Sequence, residues 1–185
     1  LKVLTGYFPP STGGLEIFDR EGRAALSFDG LRDLLFYSSD DLYVLSGSIR
    51  EAVDYAGVAS DDEIRDALRQ SRLLEHVDSL PDGLSAQVGE NGQNLSLGQR
   101  QRLLLARLFL RRPRFVLLDE ATSNIDVETE QEILRNIGRH LDPESILIIV
   151  THRRANALAF NKVISVENGR VLVSDGRATL GVSAT

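Results

Sequence analysis

The sequence predicts an α/β fold that has a mainly parallel sheet and an inserted helical segment. Residues 114–118 and 145–150 are apolar almost throughout, as in strands of a parallel sheet that is covered on both faces. Residues 127–141 between them have the apolar spacing of an amphipathic helix. Between residues 48 and 110 helical patterns predominate, which predicts a helical segment inserted into the α/β core.

Composition limits the class of protein. The 185 residues have room for one domain, or for one domain divided into lobes, and 42% hydrophobic and 26% charged residues are ordinary for a soluble globular protein. A net charge of −6 argues against nucleic acid as the main partner. The absence of Cys excludes disulfides and thiolate metal sites and fits a reducing compartment.

The beginning of the chain predicts a piece of a longer polypeptide. There is no Met, even at position 1, and residues 1–4 resemble the end of a helix that has no cap. Residues 7–14, with two Pro and two Gly, predict a loop, and residues 15–18 and 34–37 predict strands. No apolar run is long enough to span a bilayer, so any membrane link is expected to come from a partner or from another part of the polypeptide.

Helix caps and a turn delimit the remaining elements. Helices are predicted at residues 48–56, 60–74 and 99–110, with Ser60 as the cap of the second. Asp126 is predicted to cap the helix at 127–141. Asn168-Gly169 predicts a closing hairpin formed by residues 162–167 and 170–174.

Two acids follow the apolar strand at residues 114–118. Asp119 and Glu120 fall at its carboxyl end, where open α/β sheets bind their ligands. One carboxylate there can hold a divalent metal through water, while the other positions or deprotonates an attacking water. Taken alone, the pair is better explained as an acidic turn that begins a helix.

A polar turn precedes the predicted helix at residues 99–110. Ser96 supplies a hydroxyl, Gly98 an open backbone and Gln99 an amide, at the position where a helix begins. Helix N-termini attract anions because their first N–H groups are unpaired and point outward. The turn is therefore a candidate anion-binding segment.

These segments together resemble the ATPase domain of ABC transporters. LSLGQ at residues 95–99 resembles the LSGGQ signature, FVLLDE the Walker B strand, SNID the D-loop and THR at 151–153 the H-loop. Ordered motifs at the family's spacing are far more specific than any one of them. The resemblance implies a P-loop NTPase-like fold, with residues 1–41 and 112–185 forming part of a RecA-like ATPase core and residues 42–111 forming the helical signature subdomain.

The resemblance also implies roles for individual residues. Asp119 would hold Mg²⁺ through water, Glu120 would act on the attacking water, and His152 would contact the γ-phosphate of ATP. Ser96 and Gly98 would reach ATP that is bound by a partner chain. The ATP-binding residues implied in this way are Ser96, Gly98, Gln99, Ser123 and Asp126. Asp40 falls on the family's Q-loop glutamine and would face a hydrated metal, although an acidic surface turn explains it equally well.

The sequence departs from the family pattern in two further places. The Walker A motif needs Gly-Lys-Ser/Thr, but neither Lys2 nor Lys162 follows a Gly, so this motif is expected before Leu1. These 185 residues alone are therefore expected to bind Mg-ATP weakly and not to turn it over. Leu97 replaces a Gly of the signature, where it would either crowd the phosphate or pack on the helical lobe.

The function that the resemblance implies is ATP hydrolysis that powers an ABC exporter at the cytoplasmic face of the cell membrane. VGENG at residues 88–92 resembles the VGERG segment of exporter-type relatives. The expected partners are a second nucleotide-binding domain, identical or different, in a head-to-tail dimer, and a transmembrane domain fused upstream. Two alternatives are a soluble ABC-type ATPase that acts on DNA or ribosomes, and a non-catalytic module. The acidic charge, SGSIRE and VGENG argue against the first; the missing Walker A and Asp40 favour the second.

Overall fold

A computed structural model describes residues 3–5, 8, 11–13, 17–18, 24–26, 34–40, 43–153, 160–167 and 170–175. The chain divides into two compact units, Leu1–Val150 and Thr151–Thr185. Within the described ranges no helix is both long and apolar enough to cross a bilayer.

The first unit combines strands with five helices in its described part. The strands are β1 (Ile17–Phe18), β2 (Ala24–Leu26), β3 (Leu35–Ser39), β4 (Phe115–Asp119) and β5 (Ile146–Val150). The helices are α1 (Ile49–Val53), α2 (Asp61–Gln70), α3 (Leu74–Ser79), α4 (Leu97–Phe109) and α5 (Val127–His140), and short 3-10 turns lie at Gly83–Ser85 and Glu90–Gly92. β1 and β2 form a small antiparallel pair.

A three-stranded parallel sheet, β3-β4-β5, confirms the predicted sheet type. The central strand β4 buries Val116, Leu117 and Leu118, on both faces, as its unbroken apolar run predicts. In β5 burial alternates instead, and its exposed side chains are Ile146, Ile148 and Val150. The expectation of full cover is therefore met by β4 but not by β5 among the described residues.

Helix α4 lies at the centre of the helical part of this unit. It packs against α1, α2 and β3, and its apolar side is fully buried at Leu103, Leu105 and Leu108. Three fully buried leucines contribute on the order of 5–9 kcal/mol by removal from water, at about 1.5–3 kcal/mol each. The helix is thus fixed firmly enough to hold side chains at its beginning in a defined position.

Side-chain caps fix the beginnings of four helices. Ser48 with Glu51, Ser60 with Glu63 and Ser96 with Gln99 form reciprocal capping boxes at α1, α2 and α4. Asp126 caps α5 by accepting from the Thr129 N–H at 3.0 Å. The predicted caps Ser60 and Asp126 are confirmed.

The predicted helix at residues 60–74 is divided in two. It ends at Gln70, because Arg72 has a φ of 60° and a left-handed residue cannot continue a right-handed helix. The chain then starts again as α3. No proline or glycine marks this break in the sequence.

The second unit contains an antiparallel hairpin of β6 (Lys162–Glu167) and β7 (Arg170–Asp175). This confirms the predicted hairpin, although its predicted turn residues 168–169 lie outside the described residues. The predictions for residues 1–4 and 7–14 also lie largely outside them, and residues 3–5 form a turn.

Candidate functional site

Three acidic residues lie at the carboxyl edge of the parallel sheet. Ser39, Asp119 and Val150 are aligned across β3, β4 and β5. The Asp40 N–H donates to the Asp119 carbonyl at 3.1 Å, and the Glu120 N–H donates to the Val150 carbonyl at 3.0 Å. The ends of the three strands are thus bonded together just where Asp40, Asp119 and Glu120 occur.

The carboxylates of Asp40 and Asp119 make no hydrogen bond or ion pair with the protein, as far as the described residues show. In the same part of the chain no group of three or more acidic, His or Cys side chains converges as a metal cluster. One or two free carboxylates suit Mg²⁺, which keeps several waters and takes its other ligands from phosphates. They do not form a self-sufficient protein cage for a metal.

The backbone of Glu120 is strained and firmly held. Its φ is +55°, the left-handed region, which costs a non-glycine residue about 1–2 kcal/mol. Its carbonyl accepts from the Ser123 N–H at 3.0 Å, while its own N–H is bonded to β5. Strained residues that their surroundings hold in place cluster at functional sites, so this geometry indicates that Glu120 is a functional residue.

The turn after Glu120 is anchored in the core and closed by backbone bonds. Ala121 and Ile125 are 2% and 3% exposed, and the Ile125 N–H donates to the Thr122 carbonyl at 3.1 Å. The Thr122 hydroxyl donates at 2.5 Å to the fully buried carboxylate of Glu130 on α5. The segment 120–126, called here the acidic turn, therefore has a defined conformation. It exposes Ser123 and Asn124 to solvent.

A buried amide that sequence reasoning missed also holds the acidic turn. Gln101 on α4 is fully buried, and its Nε2 donates to the Ser123 hydroxyl at 3.0 Å and to the Glu120 carbonyl at 3.4 Å. Its Oε1 accepts from the Asn124 N–H at 2.9 Å. The sequence does contain one indication of its burial. Gln101 precedes the apolar Leu104 and Leu105 by three and four residues, which places it on the same face of the helix as these leucines.

The beginning of α4 lies against the acidic turn. Ser96 and Gln99 bond each other's backbone N–H groups, at 3.2 and 2.8 Å, so both side chains serve as caps. A β-carbon on Gly98 would lie 2.6 Å from the Asn124 carbonyl oxygen. The structure thus brings Gly98 into contact with the acidic turn, while Ser96 and Gln99 cap the same end of the helix.

Leu97, the first residue of α4, is exposed. Its side chain is 53% accessible, so it does not pack into the core of the helical lobe. Of the two alternatives for this residue, packing on the lobe is therefore disfavoured.

Asp126 lies at the end of the acidic turn and is exposed. The hydrogen bond from the Thr129 backbone holds the pKa of Asp126 below its ordinary value, and Arg102 on α4 adds to this shift. Burial lowers the pKa of Arg102, while the Asp126 charge opposes that effect. Asp126 is thus a charged cap that also interacts with the helix of the signature segment.

His152 is exposed and belongs to the second unit. Its position relative to Asp119 and Glu120 stays a prediction.

The matching family model and two similar known proteins all belong to one family. The family model described as ABC transporter matches residues 1–123. The chain is 34% identical over 171 residues to an uncharacterized ABC transporter ATP-binding protein, YwjA, of Bacillus subtilis, covering 92% of the chain and 29% of that protein. It is 33% identical over 172 residues to a probable ABC transporter ATP-binding/permease protein of Haemophilus influenzae, covering 92% of the chain and 31% of that protein.

A solved structure agrees with these relatives. The fold is similar to that of a bacterial Atm1-family ABC exporter with ATP bound, with a TM-score of 0.83 and 26% identity over 97% of the chain and 32% of the exporter. This similarity confirms the P-loop NTPase-like α/β fold. The chain spans about a third or less of the length of each of these proteins.

Proposed function

This chain belongs to the ABC transporter family, and we propose that it is the domain that binds and hydrolyses ATP to power an exporter. The observation that carries the proposal is the acidic edge of the sheet. The Asp119 carboxylate has no partner among the described residues, and the strained backbone of Glu120 is hydrogen-bonded at both its N–H and its carbonyl. The relatives named as ATP-binding/permease proteins and the exporter structure with ATP bound support it.

We propose that the acidic edge binds the metal and the water. Asp119, and Asp40 beside it, would hold Mg²⁺ through water molecules, which fits two carboxylates without a partner among the described residues better than direct enclosure. Mg²⁺ supplies charge compensation on the phosphates when it is bound.

Glu120 is the proposed general base, or the residue that orients the attacking water. Water adds to the γ-phosphorus, the bond from that phosphorus to the bridging oxygen breaks, and ADP leaves with the electron pair. The proton of the water passes to the Glu120 carboxylate or to the phosphate product. Because the main chain of Glu120 is held at both its N–H and its carbonyl, its carboxylate would need little reorganisation. His152 would contact the γ-phosphate.

The second set of residues would act on a different nucleotide. Ser96, Gly98 and Gln99 at the beginning of α4, together with Ser123 and Asp126, would face ATP held by a second nucleotide-binding domain in a head-to-tail dimer. The exposed Ser96 and the exposed turn at Ser123 leave this surface open to such a partner. A transmembrane domain fused to this chain is the proposed second partner, which would place this domain at the cytoplasmic face of the membrane.

A reconstitution experiment tests the function. The complete protein in liposomes should hydrolyse ATP, and chelation of Mg²⁺ should stop hydrolysis while re-addition restores it. The 185 residues alone contain no Gly-Lys-Ser/Thr and should bind Mg-ATP only weakly in calorimetry. Absence of Mg-dependent hydrolysis by the complete protein would instead favour the alternative of a non-catalytic module.

A further inference from the structure

Gln101 is a polar residue in the core, on a face of α4 where the next positions, Leu104 and Leu105, are apolar. It is fully buried, as is Leu105, and Leu104 on the same face of the helix is 7% exposed. An unpaired amide at such a place costs roughly 1–3 kcal/mol, so its retention there requires partners. Its partners all lie in the acidic turn.

The three hydrogen bonds of Gln101 reach Glu120, at the start of the acidic turn, and Ser123 and Asn124 within it. Its Nε2 donates to the Glu120 carbonyl and to the Ser123 hydroxyl, at 3.4 and 3.0 Å, and its Oε1 accepts from the Asn124 N–H at 2.9 Å. Both donor and acceptor capacities of the side-chain amide are therefore used on one loop. A shift of this loop along α4 would break them together.

A second contact, one helical turn earlier, joins α4 to the same loop. The Asn124 carbonyl approaches Gly98 so closely that no β-carbon fits there. Gly98 and Gln101 are three residues apart and lie on one face of the helix. The Asn124 N–H is thus bonded to Gln101, and the Asn124 carbonyl packs closely against Gly98, so both contacts join this part of the turn to α4.

The acidic turn is also anchored to α5. Thr122 is bonded to Glu130 on α5, and that bond does not involve α4. Loss of Gln101 should therefore remove the hydrogen bonds that join Glu120, Ser123 and Asn124 to α4 without unfolding the turn, and it should leave only the packing of Asn124 against Gly98.

We propose that Gln101 is a positioning residue that couples the beginning of α4 to the backbone of Glu120. This inference rests on the proposed function, in which Ser96 and Gly98 face the ATP of the partner while Glu120 acts on the ATP of this chain. Contact of the partner nucleotide with the beginning of α4 is transmitted through the Gln101 amide to the Glu120 carbonyl. The two composite sites of a dimer are linked by this buried amide.

The test compares Gln101→Met with Gln101→Glu in the complete protein. Met fills a similar volume without polar bonds; Glu keeps the acceptor for the Asn124 N–H but cannot, when ionised, donate to the Glu120 carbonyl. Both variants should lower kcat by about tenfold or more, since small misplacements of a catalytic group have effects of this size. KM for ATP should stay within about threefold of its original value, because no nucleotide contact is removed.

Leu103→Ala is the matched control. Leu103 is equally buried two residues along α4 and lies on the other side of the helix from Gln101. It should lower the melting temperature without a selective loss of kcat. If Gln101→Met reduces kcat no more than Leu103→Ala does at equal folded fraction, the coupling is refuted.

Hydrogen exchange separates this inference from the proposed function. In the complete protein, Gln101→Met should speed exchange in residues 120–126 by about tenfold or more, since the Asn124 N–H loses its acceptor. Gln101→Glu should speed it less, and Leu103→Ala should leave exchange in residues 120–126 unchanged. Unaltered exchange in Gln101→Met overturns the inference even if hydrolysis is observed. Faster exchange in a protein that never hydrolyses ATP upholds the mechanical link and refutes the proposed function.

Discussion

The main-chain oxygen of Asn124 lies only 2.6 Å from the point that a β-carbon on Gly98 would occupy. Real β-carbons do not come so close to backbone oxygen, so a side chain at residue 98 must displace the acidic turn. Gly98 is therefore required by packing within this chain, in addition to any contact with nucleotide.

Gly98→Ala should destabilise the folded chain. Because the obstructing atom is backbone and cannot rotate away, we expect the free energy of unfolding to fall by about 1–3 kcal/mol. Denaturant unfolding measures this. Gly138→Ala is the control, because its β-carbon meets nothing within 4 Å in α5 and Ala favours a helix by up to about 1 kcal/mol. Equal effects of the two substitutions would contradict the contact.

Leu97→Gly should raise ATP turnover in the complete protein with little effect on the melting temperature. Leu97 is more than half exposed, so its removal forfeits little burial, while the helix start becomes open to phosphate. With an identical partner chain both sites should become faster. With a different partner that has a regular signature, only the site whose Walker A belongs to the partner should change.

Val127 provides the control for Leu97. It is also the first residue of a helix, directly follows the cap Asp126 and is 50% exposed. Val127→Gly should have a similar small effect on melting and should not raise turnover. A rise in both variants, or in neither, would show that bulk at residue 97 does not limit hydrolysis.

The parts of the fold that follow from local pattern were predictable. The apolar run of β4, the caps Ser60 and Asp126 and the Asn-Gly hairpin each have a signal within a few residues. The break at Arg72 has no such signal, because its left-handed backbone is imposed by the packing around it.

Stability should decrease as the pH falls below about 5. Bonds from the backbones of Ser48, Ser60 and Thr129 lower the pKa of Glu51, Glu63 and Asp126, respectively, below their ordinary values of 4.5, 4.5 and 3.8. The unfolded chain thus takes up protons at a higher pH than the folded chain, so the stabilisation is present above the ordinary values and is lost as pH falls through the lowered ones.

Melting curves between pH 7 and pH 3 measure this dependence. The triple variant Glu51→Gln, Glu63→Gln, Asp126→Asn keeps the capping oxygens and removes the titrating groups. We expect it to melt below the original protein at pH 7, where the charged caps stabilise the fold, and to lose less stability between pH 7 and pH 3. An equally steep acid loss in the variant would rule these caps out as its source.

The candidate site was predictable only in part. Asp119 and Glu120 follow a recognisable strand, and the structure brings Asp40 to the same edge because β3 and β4 end in register. The left-handed backbone of Glu120 was not predictable from the residues around it. The hydrogen bonds of Gln101 join residues about twenty positions apart, and no local sequence pattern predicts such contacts. The sequence has only a polar residue on an apolar face to indicate them.

Glu120→Gln in the complete protein tests the central claim most directly. The amide preserves the size and the backbone but is a poor base, so ATP binding should persist while steady-state hydrolysis falls by about two orders of magnitude or more. The variant should also accumulate as an ATP-bound closed dimer. Glu128→Gln, an exposed acid in the first turn of α5, is the control and should hydrolyse ATP normally. Hydrolysis by Glu120→Gln near the original rate would contradict the role of Glu120 and the assignment of this edge as the site of the reaction.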